Sequence, residues 1–204
     1  MKNILLTTLI ILAVCAVGSS AEAAFTNIGF ETGDFTGWTT SGSGGANQII
    51  NGTITPYGSY YIRVDGGDAN SQISVYQTAY LEAGTILDGA VKFDYNENEN
   101  IGSVLDDMGV LIEDSGNNVT SLFSITAQDF TDWQYWQFTA PASGNYTLTY
   151  FSRNAQDEFL PSYAYFDTKQ TTSAVPEPAT MVLLGTGLMG LAGLKRKHGT
   201  GLSA

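Results

Sequence analysis

Cysteine and histidine are almost missing from this chain. Its one cysteine, Cys15, and its one histidine, His198, lie near opposite ends of 204 residues. Cys15 sits in an apolar run of fourteen residues, Ile4 to Val17, behind Lys2 and ahead of Ala21-Glu22-Ala23. A positive residue, an apolar stretch and small residues at −3 and −1 form a removable export leader, and cleavage is expected after Ala23. The run is shorter than the roughly 20 residues a membrane span takes. Val14, bulky and branched, does not suit a lipid-modified cysteine at position 15. The processed chain then has no cysteine, which excludes a disulfide framework and thiol catalysis. Patterns for a serine nucleophile elbow, a zinc-protease helix and a phosphate loop are also missing.

Basic residues are scarce as well. Residues 24–174 carry eighteen Asp and Glu against Arg63, Lys92, Arg153 and Lys169, a net charge of −14. Such a surface repels nucleic acid and anionic lipid, and favours cations and neutral partners. No nucleic acid is expected among the partners. Acidity with many Gly, Ser, Thr and Asn can accompany disorder, but eleven tyrosines and ten phenylalanines argue for a packed core.

What is present alternates with a period of two. Tyr60 to Val64 sets Tyr60, Ile62 and Val64 against Tyr61 and Arg63, and Gln72 to Tyr80 sets Ile73 and Val75 against Gln72, Ser74 and Tyr76. Val91 to Tyr95 places apolar and charged residues on opposite faces. Met108–Ile112, Val119–Ile125, Trp133–Thr139, Tyr146–Ser152 and Tyr163–Asp167 complete the set, separated by Gly, Asn and Asp clusters. No amphipathic helix of ten residues interrupts them. Short strands at intervals of ~8–12 residues predict an all-β fold, an antiparallel two-sheet β-sandwich of jelly-roll type, over residues 24–170.

The end of the chain has a different character. Residues 171–178 form a linker closing on Val175-Pro176-Glu177-Pro178. An uncharged apolar stretch from Ala179 to Leu194 follows, then Lys195, Arg196 and Lys197 in a basic tail over 195–204. Sixteen helical residues reach about 24 Å, short of a hydrocarbon core of about 30 Å, so the segment is a marginal transmembrane helix. Local thinning of the bilayer can close the gap. The three basic residues are expected to stay on the cytoplasmic side.

This tail resembles the PEP-CTERM sorting signal of exopolysaccharide-producing Gram-negative bacteria, with its three parts in the same order over about Val175 to Lys197. The resemblance implies export, transient anchoring in the inner membrane and cutting near Pro176-Glu177-Pro178 by an exosortase, a membrane cysteine protease. Signal peptidase and the export machinery are the other partners, and the cell surface or extracellular matrix the destination. Seven residues, His198 to Ala204, follow the basic cluster, where the family usually stops sooner.

The middle domain opens on Asn27-Ile28-Gly29-Phe30-Glu31 and continues through Asp34 and Gly37 to Trp38. With Trp136-Gln137-Phe138, Gly144-Asn145-Tyr146, Asn154 and Tyr165-Phe166-Asp167, this layout resembles galactose-binding-like jelly rolls, among them several carbohydrate-binding modules. The resemblance implies a structural calcium shared by Glu31 and Asp167, with carbonyls near Gly33 or Asp34 completing an oxygen shell. Two further oxygen-rich runs, Asp65 to Asn70 and Asn96 to Asn100, and the pair Asp106-Asp107, read as exposed loops, since Gly, Asp and Asn are the usual turn residues.

Sugars stack their apolar faces on aromatic rings, so Trp38, Trp133, Trp136, Tyr57, Tyr60 and Tyr61 are the candidates for ligand contact. On an alternating strand Trp136 and Phe138 point one way and Trp133 and Tyr135 the other. Trp136 and Phe138 are assigned to the core with Trp38 beside them. That leaves Trp133 as an exposed platform, and Tyr57 as a second ligand-binding residue. The expected function is a non-catalytic glycan-binding or exopolysaccharide-associated surface protein. The alternatives are a structural or adhesive surface protein without a specific glycan and, last, a carboxylate glycosidase, for which no acid pair stands out among eighteen.

Overall fold

The computed structural model describes residues 24–52, 55–94, 106–126, 132–155 and 162–171. The export leader, the Pro-Glu-Pro tail and its apolar segment, the basic residues 195–197 and the run 96–100 lie outside them. Residues Glu22–Ser173 form one compact unit. Among the described residues there is no helix.

Ten strands build two sheets: β1 (Thr39–Ser41), β2 (Asn47–Asn51), β3 (Tyr60–Asp65), β4 (Ser71–Leu81), β5 (Ile86–Asp94), β6 (Asp107–Asp114), β7 (Val119–Thr126), β8 (Gln134–Thr139), β9 (Gly144–Asn154) and β10 (Tyr163–Thr171). The first sheet runs β1-β4-β9-β6-β7 and the second β2-β3-β10-β5-β8. Every pairing is antiparallel. The result is an all-β sandwich of two five-stranded sheets. β10 runs to Thr171, the first residue assigned above to the linker.

Alternation along each strand fills the space between the sheets. Ile73, Val75, Ala79 and Leu81 of β4, Tyr146, Leu148 and Tyr150 of β9, and Met108, Val110 and Ile112 of β6 face inward from the first sheet. Ile62 and Val64, Leu87, Val91 and Phe93, Trp136, and Ala164 and Phe166 answer from the second. Each large side chain removed from water contributes about 1.5–3 kcal/mol, against a similar total of lost chain entropy. Gly89 of β5 pairs with Trp136 of β8, and the indole occupies the place a Cβ on residue 89 would need. That close approach is why glycine interrupts an otherwise apolar strand.

A ladder of rings crosses the core. Phe30 stacks on Trp38 at 4.9 Å, Trp38 on Tyr150 at 5.2 Å, and Tyr150 on Phe166 at 4.8 Å. Trp38 thus belongs to the core, but its ring neighbours are Phe30 and Tyr150. The indole N–H of Trp38 donates to the Asn27 carbonyl at 3.0 Å, which ties the ladder to the opening segment.

That segment is also clamped by Gln77, an inward-facing amide 7% exposed. Thr26 N–H donates to Gln77 Oε1 at 2.6 Å, and Gln77 Nε2 donates to the Thr26 carbonyl at 2.9 Å. A residue without the amide leaves two main-chain groups unpaired in a half-buried place. Gln77→Ala is expected to cost about 2 kcal/mol in a urea denaturation series, from the desolvation of those groups.

Two acidic features differ from the sequence reading. Asp106 is 1% exposed, not an exposed loop residue, and accepts the Ala155 N–H at 2.8 Å. Asp107 begins β6 and holds Arg153 through two bonds of 2.9 and 2.6 Å. Cross-strand pairing decides both, since Asp107 sits opposite Arg153 in the register.

Candidate functional site: an aromatic sheet face and its carboxylate anchor

The side chains of the second sheet that turn from the core form the candidate site. Tyr61 and Arg63 come from β3, Tyr163, Tyr165, Asp167 and Lys169 from β10, Asp88, Lys92 and Asp94 from β5, and Tyr135 and Gln137 from β8. Register sets them in rows: Arg63 lies across from Tyr165 and Tyr165 across from Lys92. In a second row Asp167 meets Ala90 and Ala90 meets Tyr135, and in a third Lys169 meets Asp88 and Asp88 meets Gln137.

Tyr61 is the hinge of the aromatic layer. Its ring meets Trp133 edge-on at 5.5 Å and Tyr165 at 6.1 Å. Edge-to-face contact suits the ring quadrupoles and leaves other ring faces open. Trp133 is therefore half-buried and packed, not the free platform expected from sequence, because Tyr61 reaches it. The most open ring of this face is Tyr135, 66% exposed. Tyr57, from the loop between β2 and β3, lies half-buried on the same side, with the Lys169 ammonium 4.6 Å from its ring centre. The other cations follow suit, Arg63 at 4.5 Å from the Tyr163 ring and Lys92 at 5.4 Å from Tyr165. Arg63 also pairs with Asp65 at 2.8 Å and Lys169 with Asp88 at 3.7 Å. Gln137 donates to Asp88 at 2.7 Å. Burial first, then the nearby carboxylates, Asp88 for one and Asp94 for the other, push the phenols of Tyr57 and Tyr165 up. Both remain hydrogen-bond donors at neutral pH.

Glu31 and Asp167, expected to share a cation, are brought to one loop. Glu31 accepts the Ser59 N–H at 2.9 and 3.1 Å and the Tyr60 N–H at 3.0 Å, while Asp167 Oδ2 accepts the Tyr57 N–H at 2.8 Å. Gly58 has φ of 100° and a side chain there would run into the Glu31 carboxylate. The two acids thus pin the loop that carries Tyr57 onto the sheet face. Asp167 is 0% exposed and its Oδ1 has no hydrogen-bond partner. Burial raises its pKa to about 7, against the Tyr57 and Thr168 N–H bonds that lower it, and the Glu31 charge raises it further.

An unpartnered buried carboxylate oxygen beside a second acid has the donor chemistry of a hard cation such as calcium. Glu31 and Asp167 would hold it, and it would neutralise the pair. Among the described residues no group of three or more His, Cys, Asp or Glu forms. Carbonyls and water would supply the remaining ligands. Asp34 is otherwise engaged: its carbonyl accepts Asn27 Nδ2 at 2.9 Å, and its carboxylate accepts Thr32 Oγ1 at 2.6 Å and the Thr36 N–H at 3.0 Å. Asp65, read as an exposed loop residue, instead ends β3, 8% exposed and held by Arg63; the rest of its run is a connection in which the Asp68 carbonyl caps the turn to Ser71.

Tyr61 was among the candidate rings, whereas Tyr135, Tyr165 and Lys92 were not singled out for this face. Their signal was the outward half of each alternation: Tyr163 and Tyr165 face away exactly where Ala164 and Phe166 face in, and Lys92 does so between Val91 and Phe93.

Comparison with known proteins adds two findings. The PEP-CTERM protein-sorting motif matches residues 174–197. The chain carries this motif, which indicates export and membrane-associated sorting. The sandwich is similar to a family 61 carbohydrate-binding module solved with β-1,4-galactotriose, with a TM-score of 0.52 and 18% identity over 76% of this chain and 100% of that one. Also similar are the xylan-binding domain CBM22-1 from Paenibacillus barcinonensis (TM-score 0.44, 14% identity, 77% and 100% covered) and a cleaved adhesin domain of Lys-gingipain from Porphyromonas gingivalis (0.48, 14%, 72% and 96%). At these identities the likeness is one of fold. No curated protein matches.

Proposed function

We propose that this chain is an exported, non-catalytic glycan-binding protein, processed at its tail by an exosortase and acting at the cell surface or in the extracellular polysaccharide. One observation carries the reading: Tyr61 gathers Trp133 and Tyr165 into a ring layer on an outward sheet face. Polar groups edge that layer. Core aromatics need no such layer, since the Phe30 to Phe166 ladder already fills the interior. Rings supply the apolar faces on which sugars stack, while Gln137, Asp94 and Lys92 supply hydrogen bonds at their edges. The sorting motif and the carbohydrate-binding fold of the similar structures support the setting.

The compact unit of residues 22–173 should be titrated by calorimetry against the host polysaccharide and a panel of neutral and acidic glycans. Binding is expected, and Trp133→Ala is expected to weaken it about tenfold, the scale of a lost anchoring ring. No binding to any glycan would leave the structural or adhesive reading, and release of reducing sugar would replace it with a glycosidase.

A further inference from the structure

We infer that the glycan taken by this face is acidic, with carboxylates on its sugar rings as in a uronic acid, and that Lys92 is the group that reads them. The inference rests on the glycan-binding reading of the same face.

Charge placement carries it. The domain has four basic residues against eighteen acids, and three of the four, Arg63, Lys92 and Lys169, project from the outward face of the second sheet. The fourth, Arg153, lies on the first sheet and is closed by Asp107. A surface this acidic has carboxylates to neutralise a lysine almost anywhere, so cations gathered on the aromatic face are placed for what that face meets.

Their partners separate them. Arg63 is held by Asp65, and Lys169 by Asp88. Lys92 forms no ion pair among the described residues, although Asp94 stands two positions along on the same face. Among the described residues its partner is the Tyr165 ring. β5 lies between β10 and β8, so Lys92 occupies the middle of the layer, across from Tyr165. A sugar seated beside that ring meets an ammonium over its face, 5.4 Å from the ring centre. Hydroxyls alone would leave the charge uncompensated, whereas a carboxylate would make a short charge-assisted bond.

The net charge does not cancel this. The Debye length is about 8 Å at physiological ionic strength, so distant acids are screened while a contact pair is not. Of the other acids on this face, Asp65 and Asp88 are already bound to cations, and Asp167 is 0% exposed beneath the Tyr57 loop.

The test uses residues 22–173 with polygalacturonate, polyglucuronate and alginate, each beside its carboxyl-reduced form, at 0.15 M salt with a chelator to exclude cation bridging. At least one polyuronate is expected to bind about fivefold or more tightly than its reduced form. Lys92→Met should remove that preference, so that a polyuronate and its reduced form bind alike, and Lys92→Arg should restore it. Trp133→Ala should weaken both forms alike. A reduced form bound as tightly as its polyuronate, or a preference that survives Lys92→Met, overturns the inference and leaves glycan binding standing. Binding to none of these and to no neutral glycan overturns both.

Discussion

Tyr150→Ala is expected to cost about 4 kcal/mol, the middle of the range for removing a large buried ring. For a domain of this size that lowers the melting midpoint by roughly 8–16 °C. Tyr150 is 0% exposed and joins the two halves of the ring ladder, Trp38 on one side and Phe166 on the other. Its hydroxyl donates to Thr168 Oγ1 at 2.6 Å, and burial holds its phenol well above the ordinary range. Tyr150→Phe keeps the rings and drops only that bond, so it should cost about 1–1.5 kcal/mol. Calorimetric midpoints of the two variants check the partition. A phenylalanine variant as unstable as the alanine one would show that the hydroxyl, not the stack, dominates.

Asp167→Asn is expected to change the sign of its effect with calcium. Without metal, the folded pKa of about 7 exceeds the ordinary 3.8, so the native state holds its proton more tightly than the unfolded chain does. Below about pH 4 both states are protonated and the residue contributes nothing to pH dependence. Between about 4 and 7 stability falls as pH rises, and above 7 the penalty is complete, roughly 2–4 kcal/mol by the size of the shift. The amide cannot ionise, and its oxygen can keep the Tyr57 N–H bond. The variant should therefore melt above the parent at pH 8 in chelator and lack the parent's slope. With millimolar calcium the parent should rise and the variant should not, since a native-state ligand stabilises by its own binding free energy. Parent midpoints unchanged by calcium would remove the cation from Glu31 and Asp167 and leave the proton as their only partner.

Much of the sandwich was legible because a strand's period is local. The alternations at Tyr60–Val64 and Gln72–Tyr80 named Ile62, Val64, Ile73 and Val75 as inward residues of β3 and β4, and Tyr163–Asp167 located β10. β1 and β2 escaped notice because both are short edge strands, Thr39–Ser41 wholly exposed and Asn47–Asn51 with two adjacent isoleucines in place of an alternation. The first half of β5 was hidden by Asp88 and Gly89, an acid turned outward and a glycine under an indole. Neither exception follows from propensity, and each is set by the strand alongside.

The sequence alone settled the sorting tail, the sandwich class and the faces of the clearly alternating strands, because a run of apolar residues, a proline motif and a two-residue period need no distant partner. The binding face was decided only by the fold. Tyr61, Trp133 and Tyr165 are far apart in the chain, and they meet because β3, β10, β5 and β8 lie side by side. Asp167 was expected to share a cation with Glu31, but only the fold showed the Tyr57 loop closing over it and burying it. Alternation assigns a side chain to a face, but strand order and register choose its neighbours, and neighbours set burial, charge and contact.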